Sequence, residues 1–497
     1  MNELNKRGSG VLLHISSLSS DYGIGTFGEE AYRFVDFLKK SGQKYWQILP
    51  LGQTSYGDSP YQSFSINAGN PYFIDLDILM REGLLKEEEY KTLNWGDNFT
   101  KIDYELMYNT RYLVLEKAFK RFDREEKEYQ EFLKLEEDWI EEYALFMAIK
   151  KANNDNSWEK WEDSFRKRDK KTLEKFKAEN IDNIEFWKFL QYKFYQQWKK
   201  LKIYANSNGI KIIGDIPIYV AYDSVDVWKN PKYFQLDENL NMIAVAGCPP
   251  DAFSAIGQLW GNPLYNWDYM EKTKYKWWLK RLEVATTLYD IVRVDHFRGF
   301  ESYYSIPAGE KTAMNGKWEK GPGMKLFNRV KKELGDLNLI AEDLGYLTED
   351  VLKLLKDSGY PGMKLMQFAF DSREGGDYLP HNYTQNSVAY IGTHDNDTAM
   401  GWLLSADSND IEYMRKYLDI YTYDDRDTVW KMICRTMAVV SNTVIIQMQD
   451  YLGLGNEART NIPSTLGGNW CWRMKKNMLD ERLIQSMLHI TGLYKRM

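Results

Sequence analysis

An arginine and an aspartate two residues apart, Arg293 and Asp295, interrupt an otherwise β-branched run, Tyr289-Asp-Ile-Val-Arg-Val-Asp-His-Phe-Arg-Gly299. Ile291, Val292 and Val294 mark this run as a short strand. Side chains two apart on a strand share a face, so the guanidinium and the carboxylate lie side by side, opposite the valines. A neighbouring cation lowers a carboxylate's pKa and keeps it ionised, the state a carboxylate nucleophile needs at neutral pH. Alone, such a pair is more often a structural ion pair; the other acidic residues decide otherwise.

Three further carboxylates end short apolar runs: Asp215 after Lys211-Ile-Ile-Gly, Glu342 after Leu339-Ile-Ala and Asp395 after the run from Ser387 to His394. If these runs are parallel strands of one sheet, the four acids gather at one mouth. Crowded like charges raise one another's pKa and destabilise the fold, so such a cluster persists for metal binding or acid/base work. Asp395-Asn-Asp397 is the one hint of a hard cation, but the Gly and distal Glu of a calcium loop are missing, and nothing has zinc spacing, so we expect no metal and no other cofactor. Gly453-Leu-Gly455 is a turn, lacking the later glycine or Lys-Ser/Thr of a phosphate cradle.

Carboxylate chemistry remains. Retaining glycosidases set an ionised nucleophile and a protonated acid/base roughly 5 Å apart across the scissile bond. Asp295 beside Arg293 has the setting of the ionised member. Glu342, between Ala341 and Asp343, is the candidate for the member raised by burial and acidic neighbours. Asp395, after His394, suits a group that binds sugar hydroxyls as positive charge develops at the anomeric carbon.

The elements that position these residues alternate. Strands are expected at 10–15, 45–50, 211–220, 289–295, 337–345, 362–370, 387–396 and 443–450, with helical segments between them. Among these, Thr26 and Glu29 form a capping-box pattern before a helix that Gly42 stops, and one helix is expected over 269–288. Eight such units are the count of a closed (β/α)8 TIM barrel; an open doubly wound sheet is the alternative. Between strands two and three lies a charged, aromatic, helix-periodic stretch with Phe186, Leu190, Phe194, Trp198 and Leu201 on one face. It reads as a helical insertion, giving a division into 1–83 (strands one and two), 84–200 (insertion subdomain) and 201–497 (the remaining barrel), with loop insertions at 221–267 and 301–336.

The chain has 497 residues, a net charge of -7 and three widely spaced cysteines. That charge gives no footprint for nucleic acid or an anionic membrane, and the cysteines make no disulfide framework. The opening residues are polar and no run approaches the roughly 18 apolar residues of a membrane span, so a cytoplasmic protein is expected. Aromatic residues make up 15%, with 17 Trp and 35 Tyr, which suits sugar rings, apolar on their faces and hydroxylated at their edges.

Five segments also resemble the amylomaltases, the 4-α-glucanotransferases of glycoside hydrolase family 77 in the α-amylase superfamily. They are Tyr56-Gly-Asp-Ser-Pro-Tyr-Gln62, Gly257-Gln-Leu-Trp-Gly-Asn-Pro263, Arg293-Val-Asp-His-Phe-Arg-Gly299, Ala341-Glu-Asp-Leu-Gly345 and Gly392-Thr-His-Asp395. The resemblance implies Asp295 as nucleophile, Glu342 as acid/base and Asp395 as transition-state stabiliser, supported by Arg293 and His394. It implies that Ser59, Tyr61, Asp215, Asp251, Gln258 and Trp260 line a glucan groove, with Asn461 matching less closely. Tyr56 would make an outer glucan contact, and the loop 247–257 would cover the groove. Malto-oligosaccharides and starch- or glycogen-type α-glucans are the implied partners. Gly214-Asp-Ile-Pro217 lacks the histidine motif of α-amylases proper, which favours transfer over hydrolysis. An α-glucan hydrolase and a non-catalytic glucan-binding barrel are the alternatives.

Overall fold

The computed structural model describes all residues except 1–2, 55–56, 251–253, 346 and 372–375. Eight parallel strands run through it: β1 (Gly8–Leu12), β2 (Tyr45–Gln47), β3 (Lys211–Ile216), β4 (Ile291–Val294), β5 (Leu339–Ala341), β6 (Gly362–Leu365), β7 (Ser387–Tyr390) and β8 (Thr443–Gln447). Their order is β6-β7-β8-β1-β2-β3-β4-β5. Seven strands lie within their expected runs, and β1 begins two residues before its own. The C-terminal ends of several of those runs have left the ladder, as in β6 and β8, where helices Met366–Ala369 and Met448–Tyr451 take over.

The sheet closes between β5 and β6 through few bonds. The Ala341 N–H donates to the Pro361 carbonyl at 3.0 Å, and the Met363 N–H donates to Asp343 Oδ1 at 2.6 Å. A side chain thus does at this seam what a ladder does elsewhere, and the fold is the (β/α)8 barrel. Gly362 makes the approach possible: a Cβ there would lie 2.6 Å from the Asp343 carboxylate. Gly362→Ala is expected to cost about 1–3 kcal/mol, read as a lowered thermal unfolding midpoint.

Inside the barrel, Ile213, Ile291, Ile340, Met363, Val388 and Ile445 form one apolar cluster. Two residues further along β3 and β4, on the same inward face, stand Asp215 and Arg293. The polar layer therefore sits directly on an apolar floor.

Helices cover the outside. Glu29–Lys40 follows β1 and buries Ala31, Phe34, Val35, Phe37 and Leu38. Its N-cap is Gly28, not Thr26, whose hydroxyl donates to Asp75 at 2.7 Å. Between β2 and β3 lie several helices, among them Glu137–Ala152 and the 27-residue Ile181–Ser207, which pack on each other. The latter buries Leu190, Phe194, Trp198 and Leu201 and stops where Gly209 takes φ +79°. It runs unbroken through residue 200. The segment expected as one helix over 269–288 is two, Trp267–Lys272 and Lys276–Leu288, broken where Lys274 and Tyr275 are left-handed.

The expected loop insertions contain structure of their own. Ala244–Cys248 and Gln258–Pro263 from the first, and Ser302–Pro307 and Lys317–Lys320 around and within the second, make a four-stranded antiparallel sheet. It carries Gln258 and Trp260. Among the described residues no helix is long and apolar enough to cross a membrane.

Candidate active site

Strand register fixes the first contacts. Asp215 on β3 is paired with Arg293 on β4, and Val294 on β4 with Ala341 on β5. Asp295 and Glu342 are the residues that follow that last pair, so they leave neighbouring strand ends together. The ends stay laced: the Glu342 N–H donates to the Val294 carbonyl at 3.1 Å, and the Phe297 N–H to the Glu342 carbonyl at 2.9 Å.

The Arg293 guanidinium bridges two carboxylates. Its Nη1 is 2.6 Å from Asp215 Oδ2 and its Nη2 is 2.9 Å from Asp295 Oδ1. Asp215 is fully buried, whereas the Asp295 side chain is 29% exposed. Arg293 therefore fixes one oxygen of Asp295 from below. Burial by itself would lower the Arg293 pKa, but Asp215 and Asp295 hold it well above the usual value, so it is a permanent cation.

Glu342 is held differently. Its Oε2 accepts the His296 N–H at 2.6 Å and its Oε1 the Leu344 N–H at 2.8 Å. The first bond depends on His296 turning left-handed, φ 53°, immediately after Asp295. Backbone strain at a non-glycine residue costs about 1–3 kcal/mol and persists where surrounding contacts enforce it. Here the turn directs a main-chain donor at the acid.

Both carboxyls are raised. Burial pushes Glu342 up to about 7, and Asp295 pushes the same way, against Arg293 and the two N–H donors. Asp295 is raised to about 6, because burial outweighs the neighbouring Arg293. That corrects the expectation of a lowered Asp295: the arginine does stabilise the anion, but it is shared with Asp215, whose own charge works against Asp295. The order survives, since Glu342 holds its proton to higher pH. The pair titrates together, with Asp295 ionised and Glu342 protonated between the two values. A bell-shaped rate profile is expected, centred between about 6 and 7. The acid limb is protonation of Asp295 and the alkaline limb is loss of the Glu342 proton; an optimum near 9 would contradict these roles.

Asp395 faces them from the loop after β7. Its Oδ1 accepts from Asn461 Nδ2 at 2.6 Å and its Oδ2 is 3.1 Å from His394 Nε2. Burial would raise this carboxyl, but His394, Asn461 and Arg293 hold it down at about 2. It is an anion at every pH of interest.

Several expected site residues lie close to these groups. The Tyr61 ring stacks on His394 at 5.4 Å and 17°, and its hydroxyl donates to Asp215 Oδ2 at 2.8 Å. Ser59 Oγ accepts the Tyr61 N–H at 3.3 Å and shapes that turn. Trp260 donates its indole N–H to Gln258 Oε1 at 3.1 Å and meets the His296 ring edge-on at 4.8 Å. Asn461 is placed by its N–H bond to the His394 carbonyl at 3.0 Å. Tyr56 and Asp251 lie outside the described residues.

Three contributors escaped the sequence reading. Arg459 donates to the Asp395 carbonyl at 2.7 Å and pairs with Asp397, tying down the turn that carries the anion. Trp470 lies 5.8 Å from both the Tyr61 and His394 rings. The His296 main chain is the third. For Arg459 no local pattern points to the site, since its partner is 64 residues away; for Trp470 the signal was the Gly467-Gly468 pair before it.

The chain is similar to known proteins over nearly its whole length. A family model described as 4-alpha-glucanotransferase matches residues 13–479. A 4-alpha-glucanotransferase of Clostridium butyricum is 53% identical over 487 residues, covering 97% of this chain and 100% of that protein. One from Thermus thermophilus is 45% identical over 478 residues, 94% of this chain and 95% of its own. Among solved structures, an amylomaltase from Streptococcus agalactiae in complex with acarbose superposes with a TM-score of 0.96 at 44% identity, covering 99% of this chain and 100% of that one.

Proposed function

This chain belongs to the 4-alpha-glucanotransferase family, glycoside hydrolase family 77, and from that premise we propose that Asp295, Glu342 and Asp395 carry its glucan transfer by retaining double displacement. Glu342 gives its proton to the glycosidic oxygen as Asp295 attacks the anomeric carbon. The C–O bond breaks, the reducing-end fragment leaves with the proton, and a glycosyl ester forms on Asp295. Glu342, now a carboxylate, takes the proton from the 4-hydroxyl of a second glucan. That oxygen attacks the same carbon, the ester breaks, and configuration is retained.

One observation carries this reading: an Arg293-bound aspartate and a glutamate that accepts two main-chain N–H bonds stand just beyond the paired ends of two adjacent strands, Asp295 after β4 and Glu342 after β5. Asp395 and His394 bind hydroxyls of the sugar being cleaved, and the Asp395 anion supports the positive charge of the transition state. The substrates are malto-oligosaccharides and starch- or glycogen-type glucans. Ser59, Tyr61, Gln258, Trp260 and Asn461 line their path, and this partly aromatic groove disfavours water against a sugar acceptor. Three free cysteines suit a reducing, cytoplasmic setting.

Incubation with maltotriose alone tests transfer against hydrolysis. The reading predicts glucose plus longer oligosaccharides with constant reducing ends; reducing ends that rise steadily identify a hydrolase.

A further inference from the structure

The nucleophile and the stabilising anion sit on opposite sides of the mouth, yet one chain of polar contacts joins them beneath the groove. It runs from Asp295 to Arg293 at 2.9 Å, from Arg293 to Asp215 at 2.6 Å and from Asp215 to the Tyr61 hydroxyl at 2.8 Å. It continues from Tyr61 to His394 Nε2 at 2.9 Å and from the same nitrogen to Asp395 at 3.1 Å.

The proton positions along this chain follow from valence. Asp215, bound to Arg293, is an acceptor, so the hydroxyl proton of Tyr61 points at it. The remaining lone pairs of that hydroxyl face His394 Nε2 and can only accept. His394 Nε2 therefore carries hydrogen, with two acceptors in reach, Tyr61 and Asp395. Its Nδ1 is buried with no partner among the described residues. Asp215 is also unusual: both donors converge on Oδ2 while Oδ1 is buried and, among the described residues, unpaired. A buried polar atom left unpaired is costly, so the convergence is retained against that cost.

Resting on the reading that Asp395 binds hydroxyls of the sugar being cleaved, which draws its carboxylate into a contact competing with His394, we propose that the Tyr61 hydroxyl, anchored by Asp215, is the positioning group that keeps the Nε2 proton and ring plane of His394 fixed when that carboxylate is engaged. Asp215, whose side chain is fully buried, then acts through Tyr61 and Arg293 from beneath the groove. Without the hydroxyl, the Nε2–H has Asp395 as its sole acceptor, and releasing that carboxylate to substrate leaves it bare. The ring of Tyr61 has the separate task of stacking.

Two measurements test this. Tyr61→Phe keeps the ring and is expected to lower kcat about tenfold with KM within about twofold, since one hydrogen bond made in the reacting complex is lost; wild-type kcat overturns the proposal. The second is read in the resting protein, by nitrogen-15 NMR of histidine-labelled samples at pH 8.5, with the His394 signals assigned by their loss in His394→Asn. In Asp395→Ala, Tyr61 is the remaining acceptor, and His394 is expected to stay in the Nε2–H tautomer. Adding Tyr61→Phe is expected to move it to a mixture or to Nδ1–H. Loss of the Nε2–H form in Asp395→Ala alone, or its retention in the double variant, overturns the assignment. Because this readout needs no turnover, it stays distinct from failure of Asp295 or Glu342 in the catalytic roles given above.

Discussion

Asp295→Asn is expected to lower disproportionation of maltotriose on the order of 10⁵-fold, the scale seen when a covalent nucleophile is removed. The argument is local. Asparagine fills the same space, and its carbonyl oxygen can still accept from Arg293 Nη2, now 2.9 Å from Asp295 Oδ1. The fold therefore keeps its contact while the charge that attacks carbon is gone. The loss should fall on kcat, with the thermal unfolding midpoint near that of the parent, because Arg293 keeps its buried partner Asp215. An Asp295→Asn protein retaining a tenth of the activity would remove Asp295 from the chemistry.

Glu342→Gln is expected to cost about 10³-fold with maltotriose, within the range for losing a general acid/base. The loss should depend on the donor in a way that Asp295→Asn does not. A glucosyl leaving group needs a proton, whereas fluoride leaves without one. With α-maltotriosyl fluoride, Glu342→Gln is expected to release fluoride in the first turnover at close to the parent rate, and then to stall, because no base activates the acceptor hydroxyl. Asp295→Asn should release none. The alkaline limb of the rate profile should also vanish in Glu342→Gln, since the group raised to about 7 is that one. Equal losses with both donors would mean that Glu342 only shapes the pocket.

What could be read from the chain follows from how local each cause is. The barrel was legible because short strand-like runs alternate with helical stretches, and the carboxylates because each stands at or near the end of such a run; Asp295 and Glu342 are one residue beyond β4 and β5. The strand ends were overread, because apolar residues after β6 and β8 continue into helical turns with no change of composition at Met366 or Met448. The break at Tyr275 leaves no glycine or proline to see. The antiparallel sheet pairs Ala244 with Pro307, a partnership that no window of sequence contains. Thr26 looked like a cap because its spacing to Glu29 was right, but Asp75 competes for its hydroxyl. The raised Asp295 had the same origin. An adjacent arginine is visible in the sequence, while burial and the rival Asp215 appear only once the strands are side by side.

The most direct measurement of the central claim is to trap the covalent species. Glu342→Gln mixed with α-maltotriosyl fluoride should form a bond from the Asp295 carboxylate to the anomeric carbon as the C–F bond breaks and fluoride departs. The ester should then persist for want of a base. Intact-protein mass spectrometry followed by peptide mapping is predicted to find one maltotriosyl group, on the peptide bearing Asp295. Fluoride release with no adduct, or an adduct on Asp215 or Asp395, would contradict the account.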